Sequence, residues 1–321
     1  VKKFMTSKYQ ILLDVAVSLI ILAALLHFAG FEQFMEEIAN MDLFWLAISI
    51  LLLLGMYAAM VFRMKVLLDD MGTPLPAISI LKAHLTGMLM ADITPARSGY
   101  LATAAVMSKS YKIPPEKAMV SILGPQAYDF IFKIVIGGIA ALYLIEYAAI
   151  ENGWIMGVGV AGLSFVLAVM LLLMYSKKFL SVFAFTEEWP FIGKIYAMFH
   201  RVQLHSKVVV KRTPLLIALL LLTWTFKAFS WLAVAKALHI SVPFEYGEGV
   251  FFFFFQPLVT MLEFVPTPTL AGLGFSEAGG VLVLSLFGIT AAKAAAFMLV
   301  ARLKTTIVNL PGIEEAVKLV K

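Results

Sequence analysis

The sequence predicts an all-α polytopic integral membrane protein with six full transmembrane helices plus two re-entrant helical hairpins in an inverted-topology repeat. Three observations predict it. Hydrophobic residues fill 62% of the 321 positions and charged residues 14%, with a mean hydropathy of +0.94. The apolar runs are continuous over about 20 residues or more, whereas a barrel would alternate in strands of about ten. A polar string of the form T-P-x-x-x-G also interrupts apolar sequence twice. It stands at Thr94-Pro95-Ala96-Arg97-Ser98-Gly99 and, 173 positions later, at Thr267-Pro268-Thr269-Leu270-Ala271-Gly272. Pro has no backbone donor and Gly is a poor helix former, so each string breaks a helix. In lipid, broken backbone survives only inside protein or along a wet cavity. Paired breaks in two halves of a chain are a feature of transporter binding sites.

The elements follow in order. The first half, about 1–150, holds spans over 11–30, 43–62 and 117–146 and an interrupted stretch over 78–108. The second half, about 151–321, holds spans over 153–175, 214–237 and 290–310 and an interrupted stretch over 247–287. Together they form one membrane domain, 1–321. The first run follows Lys2, Lys3 and Lys8 but lacks a small-residue cleavage site, so it is expected to be a retained span. Phe31, Phe34, Met35 and Ile38 share a helical face opposite Glu32, Glu36 and Glu37, the pattern of an interfacial helix. Trp45 and Trp154 are expected at the outer ends of their spans.

Charge sets the orientation. Arg63 and Lys65, Lys109 and Lys112, the loop 176–212, and Arg302 with Lys304 alternate with acidic connections such as Glu146/Glu151 and Glu245/Glu248. The basic side is expected to be cytoplasmic, with both termini there, in a cell (plasma) membrane. That bias requires each interrupted stretch to enter and leave on one side. Each half then crosses three times, and the second half is inverted relative to the first. The alternative is eight or more plain spans with kinks.

Ionisable groups inside spans are costly and therefore the candidate site. Arg97 sits in the first hinge, either as a fork for phosphate or carboxylate or as a cap on carbonyls freed by Pro95. Asp129 and Lys133, four apart, share a helical face, with Gln126 on the same stripe. Lys227 lies between Trp224 and Trp231, where cation–π contact would soften its burial. Glu263 precedes the second hinge and Glu277 follows it, Glu277 near a helix start that Ser276 would cap. The 173-residue offset sets Asp129 opposite Arg302. The hinge positions themselves are Thr94, Pro95, Gly99, Thr267, Pro268, Gly272 and Gly274.

Other strings carry less. Gly157-Val158-Gly159-Val160-Ala161-Gly162 matches a dinucleotide fingerprint but lies inside a span, where small residues serve close packing. Phe251 to Phe255 reads as lipid-facing or packing surface, and Asp69-Asp70 as loop. The five His show no metal spacing, and the chain has no Cys, so thiolate chemistry is excluded. No metal or cofactor is expected. The net charge of +5 belongs to membrane loops rather than nucleic acid.

The first hinge, Asp129 and above all Pro268-Thr269-Leu270-Ala271-Gly272-Leu273-Gly274-Phe275-Ser276-Glu277-Ala278 resemble the lysylphosphatidylglycerol synthase transmembrane-region family. These are flippase-like membrane domains, some fused to an aminoacyl-transferase domain and some, particularly in archaea, standing alone. The likeness covers nearly the whole chain, and its length without an attached transferase fits the stand-alone type. Tyr100, Thr103, Pro125-Gln126 and Ser276 stand where the family pattern has charged residues. Arg97, Asp129, Glu277 and Arg302 are the positions the resemblance carries over. It implies translocation of an amphiphilic lipid whose headgroup passes a polar crevice between two hairpins while the tails stay in the bilayer.

The expected function is thus a flippase or scramblase-like lipid transporter, moving an anionic or aminoacylated phospholipid or a polyprenyl-phosphate-linked lipid. Its expected partners are membrane lipids, a second copy in a homodimer, and a lipid-modifying enzyme. The alternatives are a proton-coupled transporter of a small polar solute and, third, a membrane-embedded lipid-linked transferase. Because the chain has no Cys, single-Cys labels test the topology directly. A label at Ser98→Cys should react from the cytoplasmic side and one at Ala271→Cys from outside. Reaction of both from one face would rule out the inverted repeat.

Overall fold

The computed structural model describes residues 8–147, 161, 164–165, 167–169, 171–173, 175–186, 192–263 and 269–320. Among these residues the chain is helical, with no strand. Helix α1 (Lys8–Ala29) turns through 86° at Gly30 into α2 (Phe31–Ala39). Then come α3 (Leu43–Asp70), α4 (Ala77–Asp92), a 3₁₀ turn (Pro95–Leu101), α5 (Ala102–Tyr111) and α6 (Pro115–Phe132). A π turn (Lys133–Gly137) joins α6 to α7 (Gly138–Tyr147). Short helices α8 (Lys177–Ser181), α9 (Ile192–His205) and α10 (Lys207–Lys211) lead to α11 (Thr213–Ala237) and α12 (Glu248–Glu263). A 3₁₀ turn (Leu270–Gly272) precedes α13 (Phe275–Leu286), α14 (Ala291–Asn309) and α15 (Ile313–Val320). Trp154, Trp189, Glu151, Thr267, Pro268 and most of the 157–162 glycine string lie outside the described residues.

Among the described residues, three helices are long and apolar enough to cross a membrane: Leu43–Asp70, Pro115–Leu144 and Thr213–Ala237. The bent pair Val15–Ala29 with Phe31–Ala39 makes a fourth if it is one span. The chain is therefore a multi-pass membrane protein. Both interrupted stretches fold as helix–3₁₀–helix hairpins, α4 packing on α5 and α12 on α13. At 1.5 Å per residue, the 10 residues of α5 and the 12 of α13 reach about 15 and 18 Å. That is well short of a hydrocarbon core about 30 Å thick.

Each hairpin is buried in its own apolar cluster. Met64, Leu67, Leu68, Ile80, Met107 and Ile122 surround the first, while Trp231, Phe251, Phe252, Phe255 and Phe297 surround the second. The phenylalanine run is thus largely packing surface, with Phe251, Phe252 and Phe255 buried. Between the clusters α3 and α11 lie side by side. At their crossing Ser49 Oγ donates to the Ser230 carbonyl (2.9 Å) and Ser230 Oγ to the Ser49 carbonyl (2.8 Å). Polar links of this kind tie helices together where lipid supplies no hydrophobic drive.

Several boundaries differ from those the sequence predicts. The span 43–62 continues to Asp70, because Val61, Met64, Leu67 and Leu68 keep an apolar face past the charges. Arg63 is consequently buried at 2% exposure rather than in a loop. Arg302 and Lys304 sit within α14, inside the predicted span 290–310, and Lys304 is buried. Asp69 and Asp70 end α3, where Asp70 pairs with Arg212 at 2.5 Å and 2.7 Å. The expected amphipathic helix 31–39 is present, with no buried residue of its own.

The first hairpin turns on a close backbone approach. A Cβ on Gly99 would lie 2.2 Å from the Met90 carbonyl oxygen. Gly99→Ala should therefore lower stability by about 1–3 kcal/mol, the usual cost of overpacking. Gly138→Ala, at a helical position with nothing within 4 Å, should be neutral or stabilising by up to about 1 kcal/mol. Thermal unfolding of both variants in detergent checks the contrast.

Candidate functional site

The first hinge is closed by a threonine. Thr94 Oγ1 donates to the Met90 carbonyl (2.9 Å) and accepts from the Gly99 N–H (2.7 Å). One hydroxyl thus satisfies an acceptor left by the end of α4 and a donor of the turn. Arg97 takes a left-handed backbone with φ of 54°, a conformation that costs energy for a residue with a Cβ. Its guanidinium there donates through Nη1 to Glu263 Oε2 (2.9 Å) and through Nη2 to Asp92 Oδ1 (3.3 Å). Glu263 ends α12 of the second hairpin, so one arginine joins the two broken helices. Asp92 Oδ2 accepts from Asn309 Nδ2 (3.0 Å) and Thr306 Oγ1 (3.4 Å), and Tyr57 Oη donates to Asn309 Oδ1 (2.6 Å).

At the second hinge α13 begins at Phe275 with Gly274 as its N-cap at φ 86°, which favours glycine. Glu277, at the third helical position, reaches back and accepts from the Gly274 N–H through Oε2 (2.7 Å). Ser276 lies inside the helix rather than capping it. Its Oγ donates to the Gly272 carbonyl (3.2 Å) and accepts from Arg302 Nη2 (2.9 Å). Arg302 Nε pairs with Glu277 Oε1. Capping and ion pairing are therefore done by one carboxylate, which is only 1% exposed. Helix α1 supports the turn, Ser18 Oγ accepting from the Leu270 N–H (2.9 Å).

Between the hinges, Asp129 meets Arg63 and Trp224. Its Oδ2 lies 3.1 Å from Arg63 Nη1, and its Oδ1 accepts from Trp224 Nε1 (3.2 Å). Lys133 opens the π turn, its ammonium 5.2 Å from the Phe130 ring centroid and 5.8 Å from that of Trp224. Lys227 lies over Trp224 at 4.7 Å, the cation–π contact its spacing predicts. Lys304, 5% exposed, donates to Ser49 Oγ, Ser230 Oγ (2.5 Å) and the Ser230 carbonyl (3.2 Å).

All seven predicted ligand candidates, Arg97, Asp129, Lys133, Lys227, Glu263, Glu277 and Arg302, line one cavity of about 760 Å³. Its remaining wall is largely apolar, including Met88, Ile122, Phe130, Val259 and Met298. Leu101 and Phe165 also line it, and both side chains are exposed, at 46% and 70%. Four polar participants escape a reading by sequence alone. Asp92 lies two residues before the first hinge string, where its position was the available signal. Arg63 and Lys304 look like loop charges because each follows an apolar run. Gln256 lies in the phenylalanine-rich helix, next to Pro257, with no charge beside it.

The Arg63–Asp129 pair allows a direct test. Removing one member of a buried pair typically costs about 3–5 kcal/mol, while removing both is tolerated. Arg63→Met and Asp129→Asn should each destabilise the protein, and the double variant should be more stable than either. Unfolding in detergent across that double-mutant cycle reads the coupling.

No curated protein matches the chain. The family described as the lysylphosphatidylglycerol synthase TM region matches residues 11–312. With its broken helices, buried ion pairs and shared cavity inside the matched region, this chain belongs to that family, whose name links it to lipid at the membrane.

Proposed function

We propose that the chain is a lipid transporter, carrying the headgroup of a membrane lipid across the bilayer through the cavity between the two hairpins while the acyl chains remain in lipid. The observation that carries this reading is the shape of that cavity. It is lined by buried and half-buried charges beside a largely apolar wall that includes the exposed side chains of Leu101 and Phe165. A headgroup can then enter sideways with its tails outside, whereas a small-solute pathway is sealed within its bundle. The apolar lining offers nothing to a free polar solute but suits the first carbons of an acyl chain.

The element order supports an inverted repeat of six crossings and two re-entrant hairpins. Shifted by 173 positions, the first hairpin (Ala77–Tyr111) falls on the second (Glu248–Leu286), α3 on α11 and α6 on α14, within a few residues. With Arg63, Arg302 and Lys304 removed from the loop count because they lie within helices, the basic segment 176–212 remains the main guide to orientation. It favours cytoplasmic termini in the cell membrane. Dimerisation and a lipid-modifying partner enzyme are compatible with this reading.

Reconstitution tests it. In liposomes carrying a trace of fluorescent lipid, the purified protein should speed exchange between leaflets over protein-free vesicles. Arg97→Ala, which unties the hairpins from each other and from Asp92, should slow exchange about tenfold or more, the effect of losing about 1.4 kcal/mol or more. Absence of acceleration for anionic, zwitterionic and aminoacylated headgroups alike would refute transport.

A further inference from the structure

The charges of the cavity are unevenly matched. Its carboxylates are each held by an arginine: Asp92 and Glu263 by Arg97, Asp129 by Arg63, and Glu277 by Arg302. Lys227 and Lys304 have no carboxylate partner among the described residues. Lys227 rests on the face of Trp224. Lys304 is held by two serine hydroxyls and a carbonyl, which occupy its donors and leave its charge uncompensated. The two cations are neighbours. Lys227 and Ser230 are three apart on one face of α11, and the Lys304 ammonium bonds Ser230. Both line the cavity.

A second observation points to a ligand. Gln256, only 1% exposed, lines the same cavity, and its Oε1 has no hydrogen-bond partner among the described residues. A buried amide oxygen left unpaired costs about 1–3 kcal/mol, and a buried cation such as Lys304 without a carboxylate partner costs more. Structural groups at such positions are normally partnered. A bound anion that also carries a hydrogen-bonding group would remove both costs.

We propose that Lys227 and Lys304 form an anion subsite for the phosphodiester of a lipid, with Gln256 bonding a hydroxyl or amine of the same headgroup. Lys227 is the directly bonding cation and Lys304 the supporting charge behind it. The arginines, already engaged by carboxylates, hold the hairpins. The choice of a lipid as the source of the phosphate rests on the transport reading; the subsite does not.

Binding to purified protein in a neutral detergent tests the subsite without transport. The probes are dihexanoyl-phosphatidylglycerol, dihexanoyl-phosphatidylcholine and glycerol phosphate, each titrated by tryptophan fluorescence with Trp224 beside Lys227 as reporter. Phosphatidylglycerol should bind at least about tenfold tighter than phosphatidylcholine. Lys227→Gln and Lys304→Met should each weaken it about tenfold, and Lys227→Arg should retain binding. The thermal midpoint of ligand-free Lys304→Met should equal or exceed wild type, because an uncompensated charge has been removed. A lowered midpoint with unchanged phosphatidylglycerol affinity would make Lys304 structural and overturn the proposal. So would wild-type affinity in both lysine variants. Glycerol phosphate binding as tightly as the lipid would overturn the lipid as occupant and assign the subsite to a free phosphate. Lysine-dependent lipid binding without exchange in liposomes would instead refute transport and leave the subsite standing.

Discussion

A helix broken inside apolar surroundings must find partners for the N–H and C=O groups its ends release, and the rest of this structure is arranged around that requirement. Thr94 supplies them at the first break, and Glu277, Ser276 and Ser18 at the second. Each solution brings a further demand. Glu277 is a buried charge and needs Arg302, while the turn stabilised by Thr94 presents Arg97, which needs Glu263 and Asp92. The polar network is thus a chain of obligations that begins in the backbone. It also explains why the two hairpins meet: the arginine of one is neutralised by the carboxylate that ends a helix of the other.

The division of labour between arginine and lysine follows from their chemistry. A guanidinium offers a planar fork, keeps its charge, and bonds two acceptors at fixed angles. Arg97 uses that fork to join Glu263 with Asp92, and Arg302 uses it to join Glu277 with Ser276. An ammonium is a compact charge on a flexible stem. Lys133 and Lys227 lie near the same indole, that of Trp224, and a π face leaves room for exchange with a ligand anion. Within one cavity the arginines make the forked contacts, Lys304 is fixed by serines, and Lys227 rests on an aromatic face.

Much of this was legible in the sequence. Both interrupted stretches are hairpins with bounds close to those expected, because Thr-Pro followed by Gly leaves a helix few options. Glu277 was placed near a helix start, and the sequence likeness around it corresponds to a family match over nearly the whole chain. What was missed has a common physical cause. Charge at the end of an apolar run reads as loop, but whether the helix continues depends on a neighbour that hydropathy does not see. Arg63, one residue past the predicted end of its span, stays in its helix beside Asp129, and Lys304, inside its predicted span, is held by Ser49 and Ser230. Asp129 and Lys133 share a helical face by their spacing and both line the cavity, but the arginine that also meets Asp129 comes from α3, which local spacing cannot show.

The π turn at Lys133–Gly137 sets a phase. One extra residue rotates everything beyond it by about 100° relative to an uninterrupted helix. Asp129, ahead of the turn, and Lys133, at its start, face the cavity. At its end, Gly137 lies so close to Met261 of α12 that a Cβ would come within 2.4 Å of the sulfur. A plain α-helix would bring one of these faces round at the expense of the other. The inserted residue lets a single rod serve two partners set at different angles, like two cams keyed to one shaft, and it fixes their timing relative to each other.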